Sequence, residues 1–297
     1  MSIVGPDVSQ YQPGIDWGRV ASMCPFAIAR AVRESWSEAP PAGWPSGTDH
    51  GFPRNWPAMK AAGLIRGAYL FINDSVAGEQ QADRFIQVVN QAGGWRSPGD
   101  LSPIVDFERS NVANCRDAIA RLKDSLGGKV ILYNGDPGIG RLGADYIWIP
   151  HYGIAEFDWG DLPTAWDRSE LILWQYKSQH NNATSLPDNA PGYGGEMDMN
   201  VLMFGRGEMS DLRRLAGLEQ EEDMGFVEFK KGWQLHRDGK PKPGTDADPD
   251  VVFGWNVRDQ ATTQPKPEAP TPHTHVAEDI PHVHEEGKTG PAVAEDA

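Results

Sequence analysis

The chain has 297 residues, enough for one large domain with an appendage or for two modest domains. Its formal net charge is −15 and its pI is about 4.9, which argues against nucleic acid or an anionic membrane surface as a partner, because both require a basic face. The two cysteines, Cys24 and Cys115, are too few for a disulfide framework, so we expect two buried reduced thiols.

The first residues, MSIVGPDVSQ, lack the basic stretch and apolar core of a secretory signal peptide. No apolar run approaches the length of a membrane span. The sequence therefore predicts synthesis in a cytoplasm without a signal peptide and without membrane insertion. Activity outside the cell would then depend on a separate route of release.

Eight short apolar runs recur along the first two thirds of the chain, and several are apolar almost throughout, as expected of parallel strands covered on both faces. The predicted strands span residues 3–9, 25–32, 64–72, 102–108, 129–134, 145–152, 170–176 and 197–204. Segments with helical periodicity lie at 55–63, 78–94 and 111–128, and each ends at a glycine.

Helices between the early strands and short connections between the late ones predict an α/β fold, an irregular TIM-like (β/α) barrel whose late strands lack helices. The alternative, an open doubly wound sheet, would normally carry a Gly-rich phosphate loop after the first strand. The segment DVSQYQPGIDW is not such a loop. We therefore assign residues 1–209 to a barrel.

The composition changes after residue 209. Residues 210–224 are expected to form a linker or a short charged helix. Residues 225–258 hold two apolar patches around a Gly/Pro/Asp turn and predict a small β module, for which wall binding, oligomerisation and attachment all stay open. Residues 259–297 are rich in Pro, His and Glu and predict a disordered tail. Its His pairs are weak evidence for a metal, so no metal or cofactor is expected.

The segment SPIVDFERS places two carboxylates at the end of an apolar run. Residues two apart in a strand point to one face, so Asp106 and Glu108 share a space while Phe107 points into the packing. At the carboxyl end of a barrel strand that space is the mouth, where barrel enzymes carry out their chemistry. One acid of such a close pair holds its proton near neutral pH, which suits cleavage of a glycosidic bond. The alternative is an ordinary solvated pair.

Other predicted strand ends carry acids and aromatic residues. Asp7 lies in the first strand, and Asp198 and Asn200 lie two apart in the last. Aromatic residues at strand ends are Tyr69, Tyr133, Trp174 and Tyr176. If these ends converge, the pocket combines acids with aromatic faces, as a polysaccharide cleft requires.

Several separated motifs resemble glycoside hydrolase family 25, the Chalaropsis-type muramidases that are frequent among phage endolysins. The motifs are DVSQYQ, IDW, FAIARA, AAGLIRGAYLF, QADRF, PIVDFE, ILYNG, LILWQY and MDMNV, and they cover roughly residues 3–205. The resemblance implies an irregular barrel and hydrolysis, with net retention, of the β-1,4 bond between N-acetylmuramic acid and N-acetylglucosamine.

By motif, the resemblance implies that Glu108 is the general acid/base. Asp106 either attacks or stabilises the oxocarbenium centre, or it steers attack by the N-acetyl group of the substrate. Asp7 and Asp198 resemble supporting carboxylates. The implied substrate-binding residues are Tyr69, Tyr133, Trp174, Tyr176 and Asn200.

Two departures from the family pattern are visible. The family often has Tyr-His-Phe where this chain has Leu70 between its two aromatic residues. The second strand lacks the usual Thr-Glu-Gly sequence and continues into a longer loop within residues 30–52.

The leading interpretation is a phage endolysin that acts on bacterial peptidoglycan at the cell wall after release by a membrane-permeabilising holin. The alternative is a virion-associated or non-catalytic glycan-binding structural protein. The presence of all four carboxylates favours an enzyme. The 225–258 module leaves room for an oligomer.

Overall fold

The computed structural model describes residues 2–33, 38–95, 98–108, 111–178 and 182–218, together with two short strands further on. The chain divides into a unit of residues 1–224 and a unit of residues 225–297. No helix in the described ranges is both long and apolar enough to cross a bilayer.

Eight strands of the first unit close into one barrel in chain order. They are β1 (Val4–Val8), β2 (Phe26–Val32), β3 (Ile65–Phe71), β4 (Ile104–Asp106), β5 (Ile131–Tyr133), β6 (Tyr146–Pro150), β7 (Leu171–Lys177) and β8 (Asp198–Leu202). Neighbours from β1 to β7 pair in parallel, whereas β8 runs antiparallel to both β7 and β1. This confirms the predicted irregular barrel.

Four helices follow the first four strands, and a fifth follows the last strand of the barrel. They are α1 (Trp17–Ala21), α2 (Phe52–Ala61), α3 (Gly78–Gln91), α4 (Val112–Leu126) and α5 (Met209–Leu215). The described connections after β5 and β6 contain loops and two 3-10 turns, Trp159–Asp161 and Arg168–Glu170. The periodicity predicted α2, α3 and α4; α1 was missed because five residues are too few to show a helical period.

Alternation along β2 explains how the core divides into two layers. Phe26 and Ile28 belong to the apolar cluster inside the barrel. Ala27, Ala29 and Ala31 point outward and belong to the cluster that includes the helices. Small residues on the outer face let the helices approach the sheet closely.

Helices α3 and α4 pack closely where α3 begins. A Cβ atom at Gly78 would lie 2.0 Å from the backbone oxygen of Asn114. The residue at this position must therefore be glycine, because any side chain would clash with α4. The backbone of Gly78 is not left-handed, so its conformation alone would not require glycine.

A buried ion pair ties β3 to the segment before β4. Arg66 donates from Nε and Nη2 to the two carboxylate oxygens of Asp100, both at 2.7 Å. Its guanidinium also lies 3.8 Å from the ring centre of Trp56 in α2. Bidentate geometry and aromatic stacking compensate the cost of burying this charge.

Part of the segment predicted to be a linker or a short charged helix is helical, since α5 ends at Leu215, and residues 219–224 lie outside the described residues. Leu212 and Ala216 are buried in the barrel's inner cluster, and the Gly99 amide donates to the Ala216 carbonyl at 2.7 Å. The charged face suggested an exposed connection, but the few apolar residues of this segment are enough to dock it against the barrel.

In the second unit, the described residues are β9 (Trp233–Leu235) and β10 (Pro241–Pro243), which pair antiparallel. The predicted disordered tail at 259–297 and its His pairs lie outside the described residues. The β module at 225–258 stays a prediction.

Candidate active site

Four carboxylates line one cavity of about 170 Å³ at the carboxyl ends of the parallel strands. Asp106 ends β4 and Glu108 follows it by two residues. Asp7 lies near the end of β1. Asp198 reaches the same end because β8 is antiparallel: its first residue pairs directly with Asp7. The topology therefore brings together acids that are far apart in the sequence.

Alternation places Asp106 and Glu108 in the cavity and Phe107 in the outer core. The Phe107 amide donates to the Tyr133 carbonyl at 3.0 Å. The Asn134 side-chain amide donates to the Phe107 carbonyl at 2.6 Å. Both polar groups of Phe107 are thus satisfied, which fixes the backbone between the two acids.

A hydrogen-bond network holds Asp7. Gln175 Nε2 and Asn200 Nδ2 both donate to Asp7 Oδ2 at 2.8 Å. The Tyr133 hydroxyl donates to Gln175 Oε1 at 2.8 Å, and the Tyr152 hydroxyl donates to the same oxygen. Because two hydroxyls donate to the amide oxygen, the amide nitrogen must face Asp7.

Burial raises the pKa of Asp7; the hydrogen bonds from Asn200 and Gln175 oppose this rise, and the charge of Glu108 adds to it. Burial, followed by the charge of Asp7, raises the pKa of Asp198 to about 8, and the Lys177 ammonium opposes the shift. Asp198 is therefore largely protonated at neutral pH and can donate a hydrogen bond.

Tyr69 and Tyr133 line the cavity, and their role in substrate binding stays a prediction. Burial raises the pKa of both phenols well above the usual value. They remain neutral donors at physiological pH. Trp148 also lines the cavity, and its ring centre lies 4.6 Å from that of Tyr133 in an edge-to-face contact.

Trp174 and Tyr176 do not line the cavity, which corrects the expectation for both. They flank the inward Gln175 and therefore point to the outer face of β7. Trp174 Nε1 donates to the His151 carbonyl at 2.7 Å. The fully buried Tyr176 donates to the Pro187 carbonyl at 2.8 Å.

Asn200 is also placed differently from the expectation. It is fully buried beneath the cavity, where it donates to Asp7 and to the Gly5 carbonyl. Its position suits it to orient an acid rather than to bind a ligand directly. Strand spacing correctly put it on the face of Asp198 but could not show its depth.

The difference from the family at Leu70 does not change the cavity. Leu70 is fully buried and belongs to the outer cluster, between the inward Tyr69 and Phe71. A histidine at this position would face the helices.

Sequence reasoning missed Arg30, Tyr11 and Gln175, all of which line the cavity. The signal for Arg30 and Gln175 was a polar residue inside an apolar strand: Arg30 continues the inward series of Phe26 and Ile28. Tyr11 gave no such signal because it lies in the loop after β1.

Among the residues that the structure describes, no three His, Cys, Asp or Glu side chains form a group that could hold a metal ion. A larger cavity of about 510 Å³ lies at the amino ends of the strands, with Ser102, Gly128 and Tyr146 in its wall. The four acids lie at the other end of the barrel.

The chain resembles known proteins in sequence. The model of glycosyl hydrolases family 25 matches residues 6–184. The YegX protein of Escherichia coli K12 is 30% identical over 218 residues, which cover 67% of this chain and 69% of YegX.

Two solved structures share the fold. The bacterial lysozyme from Streptomyces coelicolor has a TM-score of 0.56 and 23% identity, covering 73% of this chain and 98% of the lysozyme. The catalytic domain of endolysin ply40 from bacteriophage P40 of Listeria monocytogenes has a TM-score of 0.53 and 18% identity, with the same coverage of 73% and 98%. With the family match covering more than half of its length, the chain belongs to glycosyl hydrolase family 25, a family of glycoside hydrolases.

Proposed function

We propose that the protein is a muramidase, a peptidoglycan hydrolase that cleaves the β-1,4 bond between N-acetylmuramic acid and N-acetylglucosamine. The observation that carries the proposal is the placement of Asp106 and Glu108 in one small cavity that Asp7 and Asp198 also line. Paired carboxyl groups on either side of a glycosidic bond supply the acid and the anion that its cleavage needs.

In this proposal Glu108 protonates the glycosidic oxygen and later deprotonates the attacking water. Asp106 acts on the oxocarbenium-like centre, either by attacking it or by steering the N-acetyl group of the substrate into attack. Both routes proceed by two displacements at the same carbon and give net retention. The fixed backbone between the two acids keeps their relative positions during the reaction.

Asp7 and Asp198 act as supporting groups. The two amide donors hold Asp7 in one orientation. The raised pKa of Asp198 keeps a proton near the reacting centre and reduces the negative charge of the cavity. The neutral phenols of Tyr69 and Tyr133 are positioned to donate hydrogen bonds to sugar oxygens.

The biological role that we propose is host lysis by a phage endolysin, released to the wall by a holin-type partner. The fold shared with endolysin ply40 supports this role. The C-terminal region would bind wall polymer, mediate oligomerisation or attach to another component.

Mass analysis of digested peptidoglycan tests the reaction. New reducing ends on muramic acid are expected, and their absence would favour a glycan-binding protein without turnover. Glu108→Gln should abolish wall clearing while the unfolding temperature and glycan binding stay unchanged. Glu79→Gln on α3 is the matched control and should clear walls normally. Full clearing by Glu108→Gln would refute its role as general acid/base.

A further inference from the structure

One wall of the acid cavity carries a guanidinium group beside an exposed aromatic ring. Arg30, on β2, and Tyr11, after β1, both line the cavity. The Arg30 guanidinium carbon lies 5.4 Å from the centre of the Tyr11 ring. Tyr11 is 65% exposed, so most of its ring is open to a ligand. An aromatic face next to a cation can contact a sugar ring and its charged substituent together.

Asp49 fixes the orientation of Arg30. Arg30 Nε donates to Asp49 Oδ2 at 2.7 Å, and Asp49 is fully buried. The Asp49 carboxylate also accepts the backbone amides of Gln10 at 3.2 Å and Gly51 at 2.8 Å. Because both partners are anchored, the guanidinium keeps its position without a ligand. Asp49 lies in the loop that replaces the Thr-Glu-Gly segment of the family.

The terminal nitrogens of Arg30 remain available. Within the described part of the chain, the bond to Asp49 is the only hydrogen bond of the Arg30 side chain. An arginine that uses only Nε keeps four N–H groups in a planar fork that matches a carboxylate.

The charge of the cavity makes this cation necessary for an acidic ligand. Of the four acids that line the cavity, Asp198 is largely protonated at neutral pH, and the ionised ones repel a negatively charged substituent. Of the described residues in its lining, Arg30 is the only cation. A neutral sugar needs no such compensation.

We propose that Arg30 and Tyr11 form a subsite for a carboxylate-bearing sugar, in which Tyr11 stacks on the ring and Arg30 binds the carboxylate. This subsite rests on the proposed function, since muramic acid carries a lactyl carboxylate and N-acetylglucosamine does not. Arg30 then makes the enzyme prefer glycan strands whose muramic acid carries no stem peptide, and therefore has a free lactyl carboxylate, over a neutral chitin-like chain.

Calorimetric binding separates this role from catalysis. The full chain carrying Glu108→Gln is titrated with two glycans of equal length: a peptide-free oligomer of alternating N-acetylglucosamine and N-acetylmuramic acid, and a chitooligosaccharide. Adding Arg30→Gln should raise the Kd of the acidic oligomer about tenfold, as loss of a charge-assisted contact predicts. The Kd of the chitooligosaccharide should not change. Tyr11→Ala should raise the Kd of both glycans.

Controls address folding. Arg30→Lys keeps the charge without the fork, and we expect it to lose part of the preference for the acidic oligomer. Arg121→Gln removes an exposed guanidinium on α4 and should leave both Kd values unchanged. Thermal unfolding establishes that each variant is folded. If Arg30→Gln does not fold, Arg30→Lys provides the test. The proposal is then overturned if the ratio of the two Kd values in Arg30→Lys equals the ratio in the protein that carries Glu108→Gln alone.

The outcomes also separate the two proposals. The subsite is overturned if Arg30→Gln folds and either raises the Kd of both glycans by the same factor or changes neither Kd. A wild-type chain that releases no reducing ends from peptidoglycan overturns the muramidase. The ratio of Kd values still tests the subsite in that case, because binding needs no turnover.

Discussion

The hydrogen bond from Gln175 to Asp7 offers a test of how the cavity is organised. Gln175→Leu keeps a similar volume but removes the donor to Asp7 and the acceptor for the Tyr133 and Tyr152 hydroxyls. Asp7 then keeps Asn200 as its only side-chain donor among the described residues. We expect the Asp7 carboxylate to be less firmly oriented and the barrel to be less stable.

The magnitude follows from the contacts. A hydrogen bond to a charged group contributes about 1.5–3 kcal/mol, and a buried hydroxyl left unpaired costs about 1–3 kcal/mol. The free energy of unfolding should therefore fall by about 3–5 kcal/mol. If the lost bond also orients Asp7 in the transition state, kcat/KM should fall by at least about tenfold, which corresponds to about 1.4 kcal/mol.

The pH dependence gives a sharper readout. The Gln175 amide lowers the pKa of Asp7 against the effect of burial, so its removal raises that pKa further. Ionisation of Asp7 then requires a higher pH, and the acidic limb of the rate profile should move to higher pH. Release of reducing ends from purified peptidoglycan, measured between about pH 4 and pH 8, covers this limb.

Tyr176→Phe is the matched control. Tyr176 is next to Gln175 in the sequence, but its side chain faces outward. The substitution removes the hydrogen bond from its hydroxyl to the Pro187 carbonyl. Its stability should fall without movement of the pH profile. An unshifted profile in Gln175→Leu, or an equal shift in Tyr176→Phe, would refute the assignment of Gln175 as a positioning residue.

Three further predictions concern stability and organisation. The pKa of Asp198 is raised from 3.8 to about 8 in the folded state, so wild-type stability should fall as pH rises between these values, by up to about 1.4 kcal/mol per pH unit. Asp198→Asn should flatten this slope in urea unfolding, and parallel slopes would contradict the shift. Gly78→Ala should lower the unfolding free energy by about 1–3 kcal/mol, whereas Gly128→Ala, which meets open space, should not. Deletion of 225–297 should leave a folded barrel, while unchanged lysis of whole walls and unchanged oligomeric mass would count against both wall targeting and assembly.

The sequence by itself determined the barrel and the central acid pair. Apolar runs and glycine-ended helical segments are local signals, and they marked all eight strands and the three longer helices. The two-residue period of a strand was enough to put Asp106 and Glu108 on one face. The family motifs, spread over roughly residues 3–205, were enough to indicate a glycoside hydrolase.

The tertiary structure decided which side chains reach the cavity and how deep they lie. Trp174 and Tyr176 occupy strand ends but face outward, because inward and outward positions look alike when a strand is apolar on both faces. The pairing of Asp7 with Asp198 required the antiparallel last strand. The contact between Arg30 and Tyr11 required the parallel pairing of β1 with β2. Such neighbours are set by strand order and register, which no local pattern in the sequence records.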